Sequence, residues 1–532
     1  MDTGRALSRV APALVSLGAF AVYARLCPPV SGMGDASELT LVLATNGLPH
    51  PTGYPLYVAF GHLFVSSLHA LGVGWPLAAA LWSTLGGAMA LGFLFALGMR
   101  LAVAAAPAAG VAARLLATLV PLALFAFQPI MVGEATRAEV NSWSLAWASG
   151  AAYLFVRLAG TLGAAGAAAP RALGRAAALW GLVCGAGLAH HLTSILLSAP
   201  LTAALVALLA RRRWLAPGLA LAACGGALLP LASYGLVAWR AWHPARVQWP
   251  LLEPDLASVV AHVTGAQYRH FLGYFAPTAF QKELLAGVAY PFLFPGLALL
   301  GLGLWRARSP EWRLAWAGLF AAAVLVAIFT LSYGAHDPAP YFLPAMALGV
   351  VAAAPALAAI PGAGSRAGVA ALGGAGLATL LLVVPWLRDA REERQATLEY
   401  ERVIRSMWSA IPPDTAIVSW ADDRYHRLIE YQVLRGEKPA LLIVTPDMFF
   451  AGRVRREIRE RFGADPLEGF RPPRLTPGAP GERAMIERHR MDLVRGLNAR
   501  VRVPVILFDP GKGLVFQLRK PWEPADRTRA RR

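Results

Sequence analysis

Between residues 8 and 387 the chain alternates apolar runs, most of them near bilayer-spanning length, with short polar gaps. The runs fall at 8–27, 76–98, 115–133, 142–158, 176–195, 197–210, 215–239, 286–304, 313–332, 341–360 and 368–387. From Arg388 onward the pattern changes to short apolar stretches among many charges. There 415–420, 440–444, 503–508 and 514–518 read as strands, and 424–435, 451–461 and 484–498 as helices. The pattern predicts a polytopic helical membrane domain over 1–387 and an α/β domain over 388–532.

A twelfth stretch, 55–72, is apolar enough to cross but opens on Pro55 and carries His62 and His69. Loop charge decides its place. If 55–72 does not cross, one side receives Arg5, Arg9, Arg100, Arg114, Arg157, Arg171, Arg175, Arg211–Arg213, Arg306, Arg308, Arg313 and Arg366. The other side receives Asp35, Glu38, Glu134, Glu139, Glu253, Asp255, Glu283 and Asp337. Crossing at 55–72 would invert every later loop against the positive-inside rule. The expectation is therefore about eleven transmembrane helices, with 55–72 re-entrant or interfacial in the first outer loop. The N-terminus is cytoplasmic and the C-terminal domain extracytoplasmic. The first run lacks a small-residue cleavage site and reads as a retained helix.

The chain is 57% hydrophobic and 15% charged, with mean hydropathy +0.50, which fits no soluble protein of this size. Its net charge of +18 is largely Arg in short loops, so topology and anionic headgroups explain it without nucleic acid. Cys27, Cys184 and Cys224 have neither metal spacing nor a disulfide pattern.

The parity places every polar motif on one membrane face. Asp35 and Glu38 are spaced to share a helix face; a carboxylate there can take the proton of an attacking hydroxyl or hold a divalent metal. Glu134, Arg137 and Asn141 also fall at helical spacings, and Arg137 suits phosphate oxygens, although an Arg–Glu pair capping a helix end is an equal alternative. His190 and His191 interrupt an apolar span and face a cavity or a neighbouring helix. The 241–285 loop mixes Trp242, Arg246, Trp249, Tyr268, Arg269, His270 and Tyr274; Arg269 is its candidate phosphate ligand. His336 and Asp337 stand at the mouth of a later span. Asp422 and Asp423 follow a strand and read as a helix cap, and Arg527–Arg532 as a frayed tail. Walker A, GxGxxG, HExxH and GxSxG motifs are absent from the sequence, so neither a nucleotide-driven pump nor a zinc protease is supported. A transporter or flippase of a lipid-linked or small polar substrate is the rival. It predicts polar residues spread along several spans, whereas the acids here gather at one face.

Asp35-x-x-Glu38 after the first span, His50-Pro-Thr-Gly-Tyr54-Pro-Leu-Tyr, Ala-Glu139-Val, Gly-Leu-Ala-His-His191-Leu and Asp337-x-x-x-Tyr341-Phe-Leu-Pro resemble a known family. They are similar to bacterial relatives of the animal transmembrane protein-260 O-mannosyltransferase, of the GT-C class of membrane glycosyltransferases. The resemblance covers roughly 10–350. It implies transfer of a sugar, mannose in that family, from a polyprenyl-phosphate donor to an envelope protein or glycan acceptor at the outer face of a bacterial inner membrane. It further implies Asp35 as catalytic acid/base residue with Glu38 beside it. Substrate contacts would come from His50, Tyr54, Glu139, His191, Asp337 and Tyr341 of these motifs, and from Glu134, Arg137, His190, Arg269 and His336 as read above from the residues themselves. A divalent metal would be the one cofactor to consider. Where relatives often read Asp-Ser-Gly-Glu and His-Pro-Pro-Gly, this chain has Asp-Ala-Ser-Glu and His-Pro-Thr-Gly.

Overall fold

A computed structural model describes residues 3–519, apart from 33, 165–169, 249–250, 274, 276, 335–336, 412–416, 420–423, 472–481, 502–504 and 509–515. His336, Trp249, Tyr274, Asp422, Asp423 and Arg527–Arg532 lie outside the described residues.

The first half comprises α1 (Thr3–Leu26), α2 (Asp35–Thr45), α3 (Pro55–Ala70), α4 (Trp75–Ala105), α5 (Val111–Phe127), α6 (Pro129–Thr136), α7 (Asn141–Ala164) and α8 (Pro170–His190). It continues through α9 (Ile195–Arg211), α10 (Pro217–Leu231), α11 (Tyr234–Trp242), α12 (Leu256–Val263), α13 (Ala279–Leu284), α14 (Tyr290–Arg306), α15 (Pro310–Leu331) and α16 (Leu343–Ala358). A 45-residue helix, α17 (Arg366–Ala410), leaves the bundle and runs without interruption through the position where the composition changes.

Each of the eleven predicted crossings falls on helix. Among the described residues, eight helical stretches of 20 to 45 residues are long and apolar enough to span, and α5 with α6 forms a ninth, bent by 67°. The remaining two are α8 and the apolar part of α1, Val10–Leu26. The disputed stretch is α3, a helix of only 16 residues packed on α2 and α4, with Phe60, Leu63 and Leu71 exposed. That is too short to span the hydrocarbon core and suits an interfacial position.

α4 is apolar on all sides, and its neighbours α1, α5, α6, α7 and α16 cover it, so it forms the middle of the bundle. α8 and α10 pack backbone to backbone: a Cβ on Gly181 would lie 1.9 Å from the Ala223 carbonyl oxygen. Small residues permit this approach between membrane helices.

Beyond α17 come β1 (Ile417–Ser419), α18 (Arg424–Leu434), β2 (Leu442–Val444), α19 (Gly452–Phe462), α20 (Glu482–Asn498), β3 (Val505–Phe508) and β4 (Phe516–Arg519). The sheet order is β2-β1-β3-β4, with β1 parallel to both neighbours and β4 antiparallel to β3. Ile404, Met407 and Trp408 of α17 join Leu428 and Tyr431 of α18 on one face of this sheet. Residues of α19 and α20 cover the other. α18 also packs on α2, which brings this unit against the segment between α1 and α4.

Candidate active site

Gly34 sets the entry. Its φ of 65° with ψ of −139° is accessible to glycine and strained for other residues, and it starts α2 at Asp35. Asp35 and Glu38 thus occupy the first helical turn, where the helix dipole favours negative charge. They share a face but not an environment: the Asp35 side chain is 59% exposed and that of Glu38 only 3%.

The turn His50–Tyr54 folds back onto α2. Glu38 Oε1 accepts the His50 backbone N–H at 2.7 Å and His50 Nδ1 at 3.1 Å. His50 Nε2 lies 3.0 Å from the Tyr54 hydroxyl and 3.9 Å from Asp35 Oδ2. Because Tyr54 donates to the Pro51 carbonyl at 3.1 Å, its oxygen is left to accept from Nε2. A doubly protonated His50 therefore satisfies every partner. Burial alone would pull this imidazole down, but the charges of Glu38 and Asp35 outweigh it and raise its pKa to about 9. Burial pushes Glu38 up in turn, and His50, with a smaller contribution from His426 of α18, brings it below the usual carboxylate value.

The second wall is the junction of α6 and α7. Arg137 caps α6 with extended backbone, so Glu134, Arg137 and Asn141 do not share a helix face as their spacing predicts. The break in the chain, rather than helical periodicity, brings them together. Asn141 Nδ2 donates to Glu134 Oε2 at 3.0 Å, and Arg137 Nη2 stands 4.0 Å from Glu134 Oε1. Arg137 also meets Glu393 of α17 at 3.5 Å, and Glu139 and Asp337 contribute to its electrostatic surroundings. Burial first, then the charges of Glu134 and Asp35, push the Glu139 carboxyl well above its ordinary value.

His190 ends α8 and donates to the Val140 carbonyl at 3.1 Å, a packing role between helices. His191 begins the following extended turn. Its ring stacks on Tyr54, with centroids 5.5 Å apart, and meets Tyr341 edge-on at 6.1 Å. Tyr341 in turn touches Tyr333, and Asp337 accepts the Ala339 backbone N–H. His191 and Tyr341 also line a partly open cleft. Asn141, His191 and Tyr341 are among its polar lining residues, and Trp147, Leu197, Val326 and Phe329 among its apolar ones.

Among the candidates, Asp35, Glu38, His50, Tyr54, His191 and Tyr341 form one connected group, with Glu134, Arg137, Glu139 and Asp337 coupled electrostatically to it. Arg269 is exposed in the 3-10 turn Ala266–Phe271; its neighbour Tyr268 is the one that senses Glu38 and Asp35. Sequence reasoning did not select Glu393, and it named Tyr268 only among the aromatic residues of the 241–285 loop. Glu393 carries no local signal, since only the course of α17 delivers it.

Residues 35–215 match the family model of the protein O-mannosyl-transferase TMEM260 N-terminal domain. The fold is similar to that of ArnT from Cupriavidus metallidurans bound to undecaprenyl phosphate, at 13% identity and TM-score 0.51, covering 87% of this chain and 95% of that one. It is similar also to the archaeal oligosaccharyltransferase AglB from Archaeoglobus fulgidus, in complex with an inhibitory peptide and a dolichol-phosphate. That match has 14% identity and TM-score 0.51, covering 94% of this chain and 69% of that one. No curated protein matches the sequence. The architecture is that of a multi-pass helical membrane protein with the fold seen in ArnT and AglB. Over residues 35–215 the chain is similar to the TMEM260 N-terminal domain.

Proposed function

We propose that the chain transfers a sugar from a polyprenyl-phosphate donor to a hydroxyl at the outer membrane face, with inversion at the anomeric carbon. The observation that carries this reading is Asp35, an exposed carboxylate backed by the protonated His50 and set among the acids around Arg137. The acceptor oxygen attacks the anomeric carbon opposite the phosphate, and its proton passes to an Asp35 oxygen. The bond from that carbon to the phosphate oxygen breaks, and its electron pair leaves with the polyprenyl phosphate. Glu38 stays ionised and holds His50, which in turn fixes the carboxylate side of the site.

Arg137 is the donor-phosphate ligand in this reading, with Glu393 as its counter-ion until the donor arrives. The apolar walls of the cleft suit isoprene units, and Tyr54, His191 and Tyr341 offer an aromatic surface to the sugar. The lipid carriers bound in ArnT and AglB support a lipid-phosphate donor, and the TMEM260 match supports mannose and protein hydroxyls. The loop charges support a cytoplasmic N-terminus in a bacterial inner membrane, with the 388–532 region outside, facing envelope acceptors.

Asp35, Glu38 and His50 each place a ligand atom within 4.8 Å of the others, the spacing of a metal site. The donor set does not fit one as arranged. Both His50 nitrogens are hydrogen-bonded, and its acids keep the ring protonated, whereas coordination requires neutral imidazole. No step is routed through a metal.

The test is purified chain incubated with a panel of polyprenyl-phosphate sugars and envelope protein, followed by mass analysis of lipid and protein products. Release of polyprenyl phosphate with glycosylated acceptor is expected. Neither transfer nor donor hydrolysis on any member of the panel would overturn the reading.

A further inference from the structure

The segment that delivers Asp35 is soft by composition. Ser31-Gly32-Met33-Gly34 contains two glycines, and Gly34 takes a conformation with a large entropic cost of ordering. What fastens it comes from hundreds of residues away. At its start, Arg394 of α17 donates to the Cys27 carbonyl at 3.1 Å. Closer to Asp35, buried Ser31 donates to Glu430 Oε1 of α18 at 2.9 Å.

Glu430 is itself held rigid. Its other oxygen meets Arg427, which is 2% exposed and also pairs with Glu401 of α17. Tyr431 donates to the remaining Glu401 oxygen at 2.9 Å. Both terminal nitrogens of this buried guanidinium meet carboxylates, while its Nε finds no partner among the described residues; two charged contacts give the anchor a direction that a single exposed pair does not provide. α18 also lies along α2, so the same helix supports the segment before Asp35 and the helix after it.

We propose that Ser31 and Glu430 are positioning residues for the Asp35 carboxylate, so that the outer α/β unit completes the active site instead of merely adjoining it. This rests on the glycosyl-transfer reading above and deepens it. The Ser31–Glu430 bond fixes the near end of the glycine-containing segment, and the Arg427–Glu401 pair fixes Glu430. Neither Ser31 nor Glu430 touches the reacting atoms.

The test compares full-length wild type with Ser31→Ala, Glu430→Ala and Glu430→Gln, using undecaprenyl-phosphate mannose and the other donors of the panel. Ser31→Ala and Glu430→Ala lower kcat about 10- to 100-fold while donor KM stays within about twofold, because geometry rather than donor contact is lost. Glu430→Gln restores kcat to within about threefold, since the Ser31 hydroxyl can bond either end of an amide, even though the variant melts as low as Glu430→Ala. Amide hydrogen exchange over 31–40 quickens in Ser31→Ala and Glu430→Ala and recovers in Glu430→Gln. Losses of kcat that follow melting temperature across the three variants overturn the proposal. So does unchanged exchange over 31–40 in Ser31→Ala, whether or not turnover is seen. A wild type inert on every donor overturns the transfer reading instead, leaving the exchange arm to decide positioning.

Discussion

His50 Nδ1 lies 3.1 Å from Glu38 Oε1, and the same ring reaches toward Asp35 with its other nitrogen. One cation therefore serves two carboxylates of unlike exposure. The consequence can be measured as stability. His50 titrates at about 9 in the folded chain, above the ~6.5 of a free imidazole, so its contribution is whole below ~6.5. It fades as pH rises through about 9. Glu38, lowered by the same pair, gives stability above its unfolded value of ~4.3 that is lost as pH falls through the folded one. Melting of wild type from pH 6 to 10 should fall more steeply than that of His50→Gln; parallel curves would remove the ion pair.

Asp35→Asn is expected to leave melting nearly unchanged, because the side chain is largely exposed, while sugar transfer drops by about 10²- to 10⁴-fold. Donor binding should persist. Unchanged transfer would take Asp35 out of the mechanism.

Arg137 and Glu393 make opposite predictions. Arg137→Gln should raise donor KM by about 10- to 100-fold, the scale of a lost charged hydrogen bond. Glu393→Gln frees the guanidinium and should lower donor KM by about two- to fivefold, a modest effect because Glu393 is exposed. Steady-state kinetics at varied donor concentration reads both. An increase in KM on Glu393→Gln would mean that the carboxylate orients Arg137 rather than competing for it.

The cleft can be tested by filling it. Ser194 lines its wall with a buried hydroxyl that finds no partner among the described residues. Ser194→Leu should cost about 1–3 kcal/mol from overpacking. Undecaprenyl phosphate should raise the melting temperature of wild type but not that of this variant. If the lipid still stabilises the variant, the isoprenoid lies elsewhere.

The bundle was legible because bilayer length is a strong constraint on a sequence, and the stretch 55–72, set apart by loop charge, forms α3, a helix of only 16 residues. The acidic turn was legible too, since Asp35, Glu38 and His50 are close in sequence and bond locally. The Glu134–Asn141 pairing came out right for the wrong geometric reason, because a break at Arg137 replaced the helix face that their spacing implied. Glu393 and Glu430 were not legible. Each meets its partner across more than 200 positions of chain, and no periodicity encodes such a meeting.

The uninterrupted course of α17 has a mechanical consequence. Its 45 residues extend about 67 Å at ~1.5 Å per residue, and one continuous rod carries Glu393 to Arg137, Arg394 to the Cys27 carbonyl and Glu401 to Arg427. Each residue added to a rod turns everything beyond it by about 100°. The C-terminal unit is therefore held to the helical bundle in phase as well as in distance. A single insertion before Glu393 would swing Glu393 and Arg394 away from Arg137 and Cys27 at once, whereas seven residues, about two turns, would bring them back to nearly the same bearing but about 10 Å too far out.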